Sequence, residues 1–256
     1  MFRLLGASLV VFIPAALFAQ AAAKPSFEVA SVKVHDGDTH ILFDFSSSGP
    51  RATWLAYPIA GLTEEAYGIK FYQLSFAPSV QRPAGTYYDV FAKAEGNQPR
   101  TRNEFRKMLQ ALLAERFKLA VHREMKDMPV YALVVGKGGT KFKESAPDAG
   151  EGATIMMDSK TQDEDLTAPK CTMEILADHL TDLIGGDRPV MDRTGLKGNY
   201  NIRLRATPAW RMDEDPQLGE ISAFIAVQEQ LGLRLESARA PVEILVVDHW
   251  EKPTAN

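Results

Sequence analysis

From Thr101 the apolar positions fall into a helical rhythm. Phe105, Met108, Leu109, Leu112 and Leu113 recur at i, i+3, i+4, i+7 and i+8, one face of an amphipathic helix. Thr101 and Glu104 have capping-box spacing, which satisfies two backbone donors left over at a helix start. The period then drops to two at Phe117, Leu119 and Val121, which predicts a strand. Lys126-Asp127-Met128-Pro129 reads as a turn. Val130 to Val135 reads as an apolar strand closed by Gly136-Lys137-Gly138-Gly139.

The same succession returns twice. After Thr172, Met173, Leu176, Leu180, Leu183 and Ile184 form a buried stripe that Gly185-Gly186 ends. Pro189-Val190-Met191 is a short strand, Thr194 to Asn199 a turn, and Tyr200, Ile202 and Leu204 a strand with one wet face. Near the end, Ile221, Phe224, Ile225 and Leu231 share a helical face that Gly232 terminates. Leu233 and Leu235 follow in alternation, and Ala240-Pro241 opens a last strand, Val242 to Val247. A weaker copy lies earlier. Leu55, Ile59, Leu62 and Ala66 are helix-spaced before Gly68, with Pro58 kinking the helix or displacing its start. Its strands would be Tyr72-Gln73-Leu74 and Tyr87 to Ala92, preceded by strands at Phe27–Val32 and His40–Phe45. The fold class is therefore α+β: tandem helix–strand–strand units, with helices packed on antiparallel or mixed sheets.

Organisation follows from the punctuation. Residues 24–137 form an N-terminal half and 171–256 a C-terminal half. The acidic stretch 138–170 connects them, with a short hairpin at Thr154–Met157 and Leu166–Lys170. Residues 1–23 read as an address: Arg3, an apolar run to Phe18, then Ala19-Gln20-Ala21 and Ala21-Ala22-Ala23. That is the pattern of a secretory signal peptide cleaved after Ala23 or Ala21. The run is short for a span of about 20 residues and contains Pro14. No later stretch is apolar enough to cross a membrane, so the mature chain carries no transmembrane segment.

Composition changes this picture in two ways. The 256 residues hold one cysteine, so no internal disulfide and no cysteine-based zinc cluster can form. Cys171 reads as a small buried apolar residue. The formal charge of −4 becomes −5 once Arg3 leaves with the signal peptide, so no nucleic-acid partner is indicated. The charge is uneven. Eight basic against three acidic residues lie between Arg100 and Lys126, ahead of the acidic connection.

Candidate chemistry is sparse. His35-Asp36-Gly37-Asp38-Thr39-His40 gathers four ligand-type residues, but Asp-Gly-Asp is also the composition of a tight turn. Asp248-His249 could serve acid–base work, yet strand neighbours point to opposite faces. Asp187-Arg188 and Asp192-Arg193 flank a short strand. They make either a ligand groove, with arginine binding a carboxylate in bidentate fashion, or turns held by local bonds. His179 falls mid-helix beside the apolar stripe and reads as a packing residue. No nucleophile elbow, metalloprotease helix, P-loop or dinucleotide motif occurs, and no cofactor is indicated.

Several stretches resemble the soil-associated secreted protein family, abundant in acidobacteria and built around a domain of unknown function. They include Phe27-Glu28-Val29-Ala30-Ser31-Val32-Lys33, Ala66-Tyr67-Gly68-Ile69 and Tyr88-Asp89-Val90-Phe91-Ala92-Lys93-Ala94. Met108 to Leu119, Val121-His122-Arg123-Glu124 and Pro129 to Val135 continue the resemblance. Asp192 to Tyr200 and Val246 to Pro253 complete it over nearly the whole mature chain. Asn201 departs from the aspartate that usually follows Tyr200 in the family, and Pro58 interrupts the first helix. The resemblance carries no catalytic residues. A similar domain attached to membrane-sensor peptidases of the beta-lactam-sensor type implies extracytoplasmic binding or sensing. The helix–strand–strand pattern also resembles the short N-terminal domains of secretins and TonB-dependent receptors, which bind periplasmic proteins.

The leading expectation is thus an exported, periplasmic or extracellular, non-enzymatic binding module, whose partner is an envelope protein or a small ligand. Its rivals are a secreted hydrolase or metal-dependent enzyme, and an envelope structural protein that assembles through exposed strand edges.

Overall fold

A computed structural model describes residues 25–37, 43–83, 85–210 and 222–253. The first half runs β1 (Phe27–Val34), β2 (Asp44–Ser48), β3 (Arg51–Pro58), α1 (Ile59–Tyr67), β4 (Leu74–Phe76), β5 (Tyr87–Ala94), α2 (Arg102–Arg116) and β6 (Ala120–Val135). The second runs β7 (Lys143–Glu144), β8 (Thr154–Met157), β9 (Glu164–Cys171), α3 (Met173–Leu183), β10 (Val190–Asp192), β11 (Tyr200–Ala206), α4 (Ala223–Ala226) and β12 (Leu233–His249). A 3-10 turn at Phe71–Gln73 precedes β4, and α4 continues as a π-helical turn over Val227–Leu231. The fold is mixed helix and sheet, with strands predominating. No described helix is long and apolar enough to cross a membrane.

The two halves repeat one succession of elements. The first-half sheet is ordered β1-β5-β3-β2 and the second-half sheet β7-β11-β9-β8, which match element for element. The third sheet, β10-β6-β12-β4, takes two strands from each half. In it β6 and β12 run antiparallel, while β4 lies parallel to β12 and β10 parallel to β6. The halves are thus related by a pseudo-twofold axis through the long β6–β12 ladder. Each half has its own core. One gathers Trp54, Leu62, Phe105, Leu109 and Leu113 around α1 and α2. The other gathers Leu166, Leu176, Leu180, Ile202 and Leu231 around α3 and α4. The ladder joins them, with Val247 in the first, Leu133 and Leu233 in the second, and Val130, Ala240 and Val242 between.

Local signals explain much of this. Thr101 and Glu104 form the expected capping box on α2, and the Thr172 hydroxyl caps α3. β8 and β9 form the expected hairpin pair, so the stretch 138–170 holds β7, β8 and most of β9.

Other expectations need correction. Leu55 belongs to a strand, because Ala52, Trp54 and Ala56 alternate into the core. α1 begins only after Pro58, whose missing N–H costs nothing at a helix start. Gly68 closes it in the left-handed region, as expected. Tyr72 and Gln73 lie in the 3-10 turn, not in a strand. Phe117 is the cap residue of α2, and the strand starts at Ala120. The expected strands at His40–Phe45 and helix position Ile221 fall partly outside the described residues; of the former, Asp44 and Phe45 open β2.

The expected turn at Lys126–Pro129 does not exist, and neither does the break before Ala240. β6 and β12 each pass straight through. The prolines are tolerated because of where they face. Tyr131 N–H donates to Pro189 O on the β10 side, so Pro129, two residues earlier, faces that side before β10 begins. Val247 O faces β4, so Pro241, of the same parity, faces that side where β4 has not begun. Neither proline removes a ladder bond. The helix–hairpin unit consequently takes another form: the two strands expected after α2, and after α4, are one strand each. Those after α1 and α3 divide between two sheets.

Candidate functional site

The four residues expected to flank a groove do separate work. The Arg188 guanidinium lies 4.8 Å over the Tyr131 ring, which meets Phe224 edge-on. Asp192 Oδ1 accepts from Thr194 N–H at 2.8 Å and from the Thr194 hydroxyl at 2.7 Å, closing a turn. Arg193 N–H donates to Leu133 O and extends the β10–β6 pairing, while Asp187 is exposed. Of the four, only Asp192 borders a groove, about 390 Å³, between the halves. Tyr72, Glu174, Asp178, Thr181, Met191 and Val242 are among its other walls. Lys70 clasps its rim, 2.7 Å from Asp182 and 3.4 Å from Asp178. Burial disfavours that ammonium most strongly of any single cause, but the hydrogen bonds and charges of Asp182 and Asp178 together outweigh it and the Lys70 pKa rises.

His35, Asp36 and Gly37 are described; Asp38, Thr39 and His40 lie outside the described residues. His35 Nδ1 sits 2.8 Å from Asp89 Oδ1, and its Nε2 is buried without a hydrogen-bond partner. Asp89 Oδ1 also accepts from Ala56 N–H at 2.9 Å. Ala56 has φ of 55° at an irregularity in the β3–β5 register. Asp89 therefore holds a strained bulge, and His35 buttresses it. Asp89 follows Tyr88 as Asn201 follows Tyr200 in the second half, so the pseudo-twofold relates an aspartate to the asparagine. No group of three or more His, Cys, Asp or Glu is placed to hold a metal among the described residues.

Asp248 and His249 point to different partners, as strand neighbours do. Asp248 takes His122 Nδ1 at 2.8 Å and raises its pKa, while His249 meets Glu251. His179 packs beside the apolar stripe as expected, 3.5 Å from Glu164.

A polar knot that sequence patterns missed holds the β8–β9 turn. Asp163 is buried and takes Arg205 Nε at 3.1 Å and the Thr207 hydroxyl at 2.7 Å. Burial opposes its charge, but these bonds and that to Thr161 prevail and lower its pKa. The partners lie far apart in sequence, which is why no local motif announces them.

The knot leaves β8 at the open edge of its sheet, with all four residues exposed. Ile155, Met156 and Met157 keep 51%, 65% and 48% of their surface. Ile155 pairs with Leu166 and Met157 with Glu164, so both stand on the face that α3 covers. On α3, Ile175 is 52% exposed one turn before His179, the partner of Glu164. Exposed Ile155 and Met157 on β8 and exposed Ile175 on α3 thus flank the Glu164–His179 pair on one face of the sheet. A second open surface lies on the first half, where Val29, Phe91, Arg51 and Lys93 surround a shallow concavity of about 330 Å³.

A family model described as a protein of unknown function (DUF3738) matches residues 60–250. No curated protein and no solved structure matches the chain.

Proposed function

The chain belongs to the DUF3738 family, and we propose that it is an exported, non-catalytic interaction module whose contact element is the β8 edge. One observation carries the reading: an edge strand that no other described strand pairs on its outer side exposes Ile155, Met156 and Met157 together. Such edges are templates for pairing with another chain and are ordinarily shielded by charge, proline or a covering element. The signal-peptide pattern of residues 1–23 supports export, and the absence of disulfide chemistry leaves the packed cores to hold the exported chain. The resemblance to soil-associated secreted proteins, and to the partner-binding short domains of secretins and TonB-dependent receptors, supports an envelope setting.

A photo-crosslinking residue at position 156 tests the contact in the native envelope, with one at Ser47 of β2 as control. Adducts from position 156 and none from position 47 are expected. No adduct from position 156 refutes the contact. Export is tested by fusing residues 1–30 ahead of alkaline phosphatase. Activity outside the cytoplasm supports it and activity confined to the cytoplasm rejects it.

A further inference from the structure

We infer that the β8 edge takes an extended, apolar segment of another protein whose flanks are basic, added to the second-half sheet as a further strand. The inference rests on reading β8 as the contact element and supplies the chemistry of the partner.

The order β7-β11-β9-β8 leaves the outer ladder groups of β8 unpaired by any described strand. A segment laid there alternates its side chains, one set lying on the face of Ile155 and Met157, the other on the face of Met156. The fold itself does not require these apolar side chains. The equivalent edge of the first half, β2, reads Asp44-Phe45-Ser46-Ser47-Ser48, a polar edge of the kind that resists pairing.

Charge selects the occupant. From Asp148 to Glu174 the chain has seven acidic residues against Lys160 and Lys170. Lys170 offsets Glu151, and Arg205 binds Asp163 and Asp158; counting Arg205 with the two lysines, seven acids against three bases leave a net charge of −4 around the edge. Two copies meeting edge to edge would set acid against acid, which disfavours self-pairing. A strand flanked by lysine or arginine meets complementary charge instead.

Fluorescence anisotropy on the full mature chain tests this with three labelled peptides. The first is Lys-Lys-Val-Thr-Val-Thr-Val-Lys-Lys, the second has every lysine replaced by glutamate, and the third is the first with its central valine replaced by proline. The basic peptide should bind about tenfold or more tightly than either other. Met156→Lys should weaken it by about tenfold, with circular dichroism and melting unchanged. Ile155→Thr, which keeps strand propensity, should weaken it in the same direction. Equal binding of the acidic and basic peptides overturns the inference, as does binding indifferent to both substitutions. A dimer in sedimentation that Met156→Lys dissolves also overturns it, by making a second copy the occupant. Crosslinks from position 156 without charge discrimination reject the basic partner and keep the contact. Loss of both rejects both.

Discussion

Glu64 and Glu65 are neighbours on α1 with opposite electrostatic fates. Burial pushes the Glu65 carboxyl up too, but hydrogen bonds from Arg102 and Arg106 outweigh it and the pKa falls. Burial alone acts on Glu64 and lifts its carboxyl from 4.5 to about 7. The folded chain therefore holds that proton more tightly than the unfolded chain does. Its stabilising effect is complete below pH 4.5 and is lost as pH rises through about 7. The full shift corresponds to about 3.4 kcal/mol. The side chain remains in partial contact with water, so screening reduces this to about 1–2 kcal/mol. Glu64→Gln keeps the shape and removes the titration. The variant should match the native chain near pH 4.5 and exceed it by about 1–2 kcal/mol at pH 8. Urea unfolding followed by the fluorescence of buried Trp54 would read this as a midpoint increase of about 0.5–1 M. Taking the difference between variant and native chain at each pH cancels the other titrating groups. A difference that does not change with pH refutes the reasoning, and one that favours the native chain as pH rises reverses its sign.

Other outcomes follow from the cores and the polar knot. Thr207→Val removes the buried hydroxyl that donates to Asp163 and should cost about 1–3 kcal/mol in chemical unfolding; an unchanged midpoint would mean the bond is not structural. Leu109→Ala and Leu133→Ala lie in different cores, and each should cost about 2–5 kcal/mol. Because β6 and β12 run through both cores, calorimetry should show each substitution lowering one shared transition; two separated transitions would show that the ladder does not couple the halves. The Cys171 thiol is buried and pushed up to about 11, so a thiol reagent at pH 8 should label it only after denaturation; prompt labelling of the folded chain contradicts that placement.

What the sequence made legible was carried by near neighbours: the caps of α2 and α3, and the β8–β9 hairpin. What it hid depended on distant partners. Pro129 and Pro241 read as breaks because a local pattern cannot tell that their nitrogens face sheet edges left open at those two places. Asp163 looked like one more acid in an acidic stretch, since Arg205 and Thr207 reach it from another strand. A sequence signal for the duplication did exist. Pro129-Val130-Tyr131-Ala132-Leu133-Val134-Val135 is echoed by Pro241-Val242-Glu243-Ile244-Leu245-Val246-Val247. Tyr88-Asp89-Val90 is echoed by Tyr200-Asn201-Ile202. Both long strands also follow a left-handed residue, Lys118 in one half and Gly232 in the other. Helix periodicity marks only a smaller unit, whereas the repeat in the structure spans eight elements.

Duplication gives each half as the control for the other. Where equivalent positions agree, the fold demands them; where they differ without structural need, the difference points to use. The β2 and β8 edges occupy the same place in matching sheets, yet one is serine-rich and the other apolar. Replacing Ile155, Met156 and Met157 together by serine gives the second edge the character of the first. The lost side chains are only about a third to a half covered, so the total cost should be about 2–4 kcal/mol. Melting should therefore fall by about 5–15 °C, with the chain still folded at room temperature. Crosslinking at neighbouring Thr154, by contrast, should disappear. If the triple variant unfolds, the apolar edge belongs to the core and is not a contact surface. If it folds and still crosslinks from Thr154, the contact lies elsewhere on the molecule, and the open face around Phe91 becomes the surface to test.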